Sequence, residues 1–167
     1  MKKYTKLNLG LLLAVIAIGT FLGLGGEQPP ASPPPAVSML NGQHITVITV
    51  KRTGRKDLIF KKQGHAWHIE SPLAAAANSM RIRVILSVLQ ARSYARIQAG
   101  GANLARYGLA NPAVTLKLDE HEFRFGGTEP LNGRRYLLYR NTIHLIDDGL
   151  FQQLQQPAEF FIARLTK

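Results

Sequence analysis

Twenty uncharged residues in a row, Leu7 to Gly26, directly follow Lys2, Lys3 and Lys6. A helix needs ~20 apolar residues to cross a hydrocarbon core of ~30 Å, so this run predicts one transmembrane helix. The three lysines place residues 1–6 on the cytoplasmic side. Between Leu7 and Val50 the only charge is Glu27, so no basic cluster opposes that orientation. The rest of the chain is expected outside the cytoplasm, as a periplasmic domain on a single-pass protein of the inner membrane.

A cleavable signal has an apolar core of ~7–15 residues followed by a small-residue cleavage site. Gly23-Leu24-Gly25-Gly26-Glu27-Gln28 holds no such site, and the apolar run is long. The reading therefore favours a retained signal anchor over residues 7–26. Residues 27–42 follow as a linker, with five prolines between Gln28 and Val37. Such a segment favours extended polyproline structure and acts as a semi-rigid spacer. The chain has no cysteine. That excludes a disulfide framework, a thiolate metal site, a cysteine nucleophile and a lipidated N-terminal Cys.

Residues 43–167 are long enough to bury one core of their own. His44–Val50 is β-branched and alternating, Leu58–Phe60 continues it, and Ala66–Ile69 makes a third strand. Asn78 is a good N-cap for a helix from Ser79 to about Ala91, with Ile82, Ile85, Leu86 and Leu89 on one stripe. Ser93–Gln98 reads as a strand, and Asn103–Tyr107 as a helical turn stopped by Gly108. Val114–Leu118 pairs with Glu122–Phe125 across Asp119-Glu120-His121, and Arg135–Tyr139 with Thr142–Ile146 around Arg140-Asn141. Asp147 or Asp148 caps a last helix through Gln155. The class is α+β with mainly antiparallel sheet and packed helices. Strands then helix, twice over, suggest a two-fold pseudo-repeat of a β-meander plus helix.

Several of these stretches resemble a bacterial family catalogued as domain of unknown function 4340. Ala66-Trp67-His68-Ile69-Glu70-Ser71-Pro72, Tyr107-Gly108-Leu109-Ala110-Asn111-Pro112, Phe125-Gly126-Gly127-Thr128, Gly133, Tyr136 and Ile143-His144-Leu145-Ile146 carry the likeness. It spans roughly residues 45–155. The family often has an acidic residue where this chain has Ala110, and another where it has Asn78. The resemblance implies a membrane-anchored envelope protein, in some members linked to transport systems of the ABC type. It brings no catalytic residues with it.

Catalytic constellations are sparse. His65 and His68 flank Trp67 three apart, and on a strand that spacing points them to opposite faces, which does not make a metal site. Trp67 is the expected core anchor of the first sheet, with its indole N–H bonded nearby. His44, His121 and His144 have no companion at motif spacing, and no nucleophile turn of the G-x-S-x-G kind is present. Asp119, Glu120 and Glu122 read as solvated charge at a hairpin turn. No catalytic residue, cofactor or metal is assigned. An envelope hydrolase would need His68 or His144 beside a carboxylate in a deep pocket.

Charge is more informative. The chain carries 21 basic and 10 acidic residues, net +11, or 18 against 9 once Lys2, Lys3, Lys6 and Glu27 are set aside. Lys51, Arg52, Arg55 and Lys56 concentrate on the first hairpin. Gly126-Gly127 reads as the start of a long hairpin connection, continued to Arg134 and Arg135, whose glycines serve turns. It is also the best binding-site candidate, since glycines admit a ligand and arginines grip an anion. Such a field attracts anionic lipid, an acidic envelope polymer or an acidic protein face. Nucleic acid is not expected, because no basic-plus-aromatic recognition motif appears. The first expectation is a non-catalytic interaction module that docks on an envelope protein, an accessory to a membrane transport or assembly complex. The alternative is a binding protein for an anionic ligand, lipid headgroup or polymer.

Overall fold

Alternating apolar residues write the centre of the sheet. In β1 (Val47–Arg52), Ile48 and Val50 are fully buried while Thr49 and Lys51 turn to the other face. β6 (Val114–Leu118) repeats the pattern with Val114, Leu116 and Leu118 buried. The two strands pair antiparallel, Val50 opposite Leu116. The structure is a computed structural model and describes residues 33–163. Among these residues no helix is long and apolar enough to cross a membrane. Residues 7–26, read as the anchor, lie outside them.

From the central pair the chain meanders to both edges. One side adds β2 (Leu58–Gln63), β3 (Ala66–Ser71) and the short β4 (Ala75–Ala76). The other adds β7 (His121–Thr128), β8 (Arg135–Tyr139), β9 (Thr142–Ile146) and finally β5 (Ala95–Gln98). All neighbours in this nine-stranded sheet are antiparallel. Helix α1 (Ser79–Leu86) follows β4, and α2 (Gly149–Leu154) follows β9. The class is α+β, built on antiparallel sheet.

Asn78 caps α1 as expected, its side-chain oxygen accepting from the N–H groups of Met80 (3.0 Å) and Arg81 (3.3 Å). The α-helix stops earlier than the apolar stripe suggests, at Leu86, and tightens into a 3₁₀ turn over Ser87–Gln90. Ser87 Oγ donates to the Val84 carbonyl oxygen at 2.7 Å, a side-chain bond that competes with continuation of the helix. Ile82, Ile85, Val88 and Leu89 are all buried. They face a core that includes Phe60, Phe123, Phe125 and Phe161, each contributing about 2–3 kcal/mol by its burial. Phe123 stacks on its cross-strand partner Tyr139, centroids 4.3 Å apart.

A smaller cluster of Leu109, Leu138 and Ile143 lies apart from this core, with Leu104, Tyr107 and Tyr136 packed on it. Leu138 and Leu137 are adjacent in β8, so they serve opposite faces of the sheet. The expected helical turn is a 3₁₀ turn over Leu104–Tyr107, capped by Asn103 and closed by Gly108 at φ 68°.

The stretch read as the end of the linker is packed into the domain. Val37 is buried, its N–H donates to Ala91 O at 2.9 Å, and Ala36 bridges Arg92. Residues 27–32 lie outside the described residues.

Candidate functional site

A groove runs beside α1, where half-buried Leu40 and Leu86 lie over buried core residues. Its floor is Leu40, Trp67, Ile82, Leu86 and Leu89, and its volume is about 720 Å³. One wall is the segment Met39–Gln43, where Asn41 caps a 3₁₀ turn over Gly42–His44. Lys62 Nζ donates to Gln43 O at 2.9 Å and ties that wall to β2. Met39 stands fully exposed at the mouth, against the habit of methionine to be buried. Lys62, His65 and Arg83 join the amides of Asn41, Gln43 and Gln90 and the hydroxyls of Ser79 and Ser87 in the polar lining, which among the described residues contains no carboxylate. Trp67 is 8 % exposed, a core residue as expected, with one edge in the groove.

The basic hairpin divides into structural and free charge. Arg52 is buried and donates to Gln156 O at 2.6 Å and Lys56 O at 3.0 Å. Its pKa is lowered, first by burial and then by the nearby Arg55 charge. Arg55 donates to Gln155 O at 2.7 Å. These two arginines therefore serve the carbonyls just past the end of α2, where cations suit the helix dipole. Lys51 and Lys56 stand exposed.

Gly126 and Gly127 do not form a loop. They lie in β7, as a bulge in which both residues stand opposite Tyr136 alone. Gly126 is buried because the Tyr107–Leu109 segment crosses it: a Cβ there would fall on the Tyr107 carbonyl oxygen. A Cβ on Gly108 would come within 2.7 Å of Gly127 N. Arg135 is buried too, paired with Asp148, donating to Gly126 O, and stacked 3.5 Å over the Phe151 ring. Asp148 holds the N-cap position of α2 as expected. Its carboxylate is spent on Arg135 and Gln152, and it makes no side-chain bond to the helix N–H groups. Arg134 lies 3.6 Å over the Tyr94 ring. Sequence alone brought Gly126, Gly127, Arg134 and Arg135 together in one hairpin connection and made it the binding-site candidate. Gly126 and Arg135 are instead packing residues, and Gly127 completes the bulge.

The acidic trio is also partly structural. Asp119, at φ 50° in the two-residue β6–β7 turn, accepts from the N–H groups of Thr46 (3.2 Å) and Val47 (2.8 Å). Glu122 pairs with Lys117 and Arg124, and its pKa is lowered chiefly by the Arg124 hydrogen bond. Among the described residues no group of three or more His, Cys, Asp or Glu side chains could hold a metal ion. His144 is buried and meets Ser93, with Ser93 Oγ 2.9 Å from its Nδ1.

Two segments singled out in the sequence, Tyr107-Gly108-Leu109 and Phe125-Gly126-Gly127, are thus one packing unit. The model of the domain of unknown function DUF4340 matches residues 67–166. The chain belongs to that family. The match starts inside β3, so β1 and β2 stand outside it although they complete the same sheet. Neither a curated protein nor a solved structure matches the chain.

Proposed function

We propose that this member of the DUF4340 family is a single-pass envelope protein whose basic α+β domain is a non-catalytic interaction module. The observation that carries the reading is the groove: an apolar floor with a lining of cations, amides and hydroxyls and, among the described residues, no acid. Such a groove fits an apolar segment flanked by acidic residues, with apolar burial giving affinity and charge giving orientation. The occupant is a segment of another envelope protein, in a transport or assembly complex. Lysine-flanked residues 7–26 support attachment to the cytoplasmic membrane. The order β4-β3-β2-β1-β6-β7-β8-β9 supports reading the domain as two meander-plus-helix halves about its central pair.

The test is photo-crosslinking of the full-length protein in cells, from probes at Met39 and Leu86 and from a control at Leu131, which is exposed and outside the groove. One membrane protein captured from both groove positions, absent from the control and lost in Leu86→Asp, is the expected result. Capture independent of probe position, or none, removes the groove from the function. The second reading, an anionic-ligand binder using the first hairpin and the β7–β8 connection, retains Lys51, Lys56 and Arg134, because Arg52, Arg55 and Arg135 are engaged within the domain.

A further inference from the structure

A second cavity, of about 480 Å³, lies where β8, β9 and β5 meet the Ala36–Leu40 segment. Register explains its lining. Arg96 stands opposite His144, Gln98 opposite Thr142, and Thr142 opposite Tyr139, so neighbouring strands set these side chains side by side. Arg140 joins them from the β8–β9 turn, where it sits at φ 53°. The lining includes two guanidinium groups, an imidazole, three hydroxyls and an amide and, among the described residues, no carboxylate. Among the described residues neither Arg96 nor Arg140 has an acidic partner within salt-bridge distance.

The hydrogen bonds around His144 order this cluster. Ser93 Oγ donates to Ala95 O at 3.2 Å and accepts from Arg96 Nε at 3.3 Å. With its one proton used, Ser93 accepts again from His144 Nδ1, which leaves His144 Nε2 as the unbonded acceptor. Arg96 Nη2 donates to Ala36 O at 2.8 Å and fixes the guanidinium against the cavity wall. Burial first, and then the Arg96 charge, hold the imidazole neutral with a pKa of about 4. A bound anion would reverse the second influence and, once Nε2 is protonated, accept from its N–H.

We propose that this cavity binds a phosphate-type oxyanion, either free or as the phosphomonoester of a headgroup, gripped by Arg96 and Arg140 with Thr142 and Gln98 completing the shell. Donors converging from two strands and a turn suit a tetrahedral anion better than a flat carboxylate, and guanidinium forks give charge-assisted bonds. The groups facing His144 are Arg96 on β5, Arg140 on the turn, Tyr139 on β8 and Ser93; the Ala36–Leu40 wall carries no charge.

The experiment is an NMR titration of the His144 ring in full-length protein in uncharged detergent, with inorganic phosphate and, separately, glycerol phosphate. A saturable shift is expected, with the His144 pKa raised by about one unit, a ten-fold coupling. Arg140→Gln, which removes no side-chain hydrogen bond among the described residues, is expected to weaken binding about ten-fold, and Arg96→Gln at least as much. Saturation by both probes identifies free phosphate as sufficient; saturation by glycerol phosphate alone identifies a headgroup. No saturable shift with either probe, or affinity unchanged in Arg140→Gln, overturns the proposal.

Discussion

Arg52 Nη1 donates to the Gln156 carbonyl oxygen at 2.6 Å, joining the first hairpin to the far end of the chain across 104 residues. The bond closes the sheet's first meander over the last helix, since Arg55 reaches the neighbouring Gln155 carbonyl in the same way. Clustered positive charge here is divided between holding the fold and facing solvent.

Replacement of Arg52 tests that division. Arg52→Met keeps the aliphatic stem and strands two carbonyls, Gln156 and Lys56. We expect a loss of about 2 kcal/mol in urea unfolding. Arg52→Lys is expected to recover less than half, because one ammonium cannot serve two carbonyls with a planar fork. Lys51→Met, at an exposed position, is expected to stay within about 0.5 kcal/mol of the parent.

Gly126 and Gly127 separate by packing. Gly126→Ala places a methyl on the Tyr107 carbonyl and the Leu109 side chain, and is expected to cost about 1–3 kcal/mol. At Gly127 the nearest atom to a Cβ is 3.6 Å away, an ordinary contact, so Gly127→Ala is expected to cost less than 1 kcal/mol, on the order of an unstrained surface change. Thermal unfolding of the two variants, compared pairwise, checks the order. Equal losses would contradict the close crossing of β7 by Tyr107–Leu109.

His144 makes stability depend on pH in a defined window. Its folded pKa, about 4, is below its ordinary 6.5, so the unfolded chain binds the extra proton first. Stability from this group is full above pH 6.5 and is lost as pH falls from there towards 4. Glu122, also depressed, acts in the same direction but only below its ordinary 4.5, so the range from pH 6.5 to 5 reports His144. Melting temperature is expected to fall across that range in the parent and to stay flatter in His144→Asn. Parallel slopes would show that His144 is not the titrating group.

Legibility followed the range of the interactions. Asn78, the Leu104–Tyr107 turn and the Arg140-Asn141 hairpin were readable because caps and turns depend on residues within four positions. Asp119 looked like solvated turn charge, yet it satisfies the N–H groups of Thr46 and Val47, more than seventy residues upstream. Arg135 looked like an anion clamp, and its partners Asp148 and Phe151 give it a packing role that no local pattern announces. The glycine at 126 signalled close approach correctly, but what approaches is the chain's own backbone.

Sequence by itself determined the antiparallel α+β class, most strands and the starts of both helices, and the balance of charge, because period-two burial, capping and composition act locally along the chain. Only the tertiary structure decided which arginines remain available, that Ser93 meets His144, and that an acid-free groove and an acid-free cavity form. Those depend on strand order and register, which bring together side chains tens of residues apart and are settled by the packing of the whole sheet.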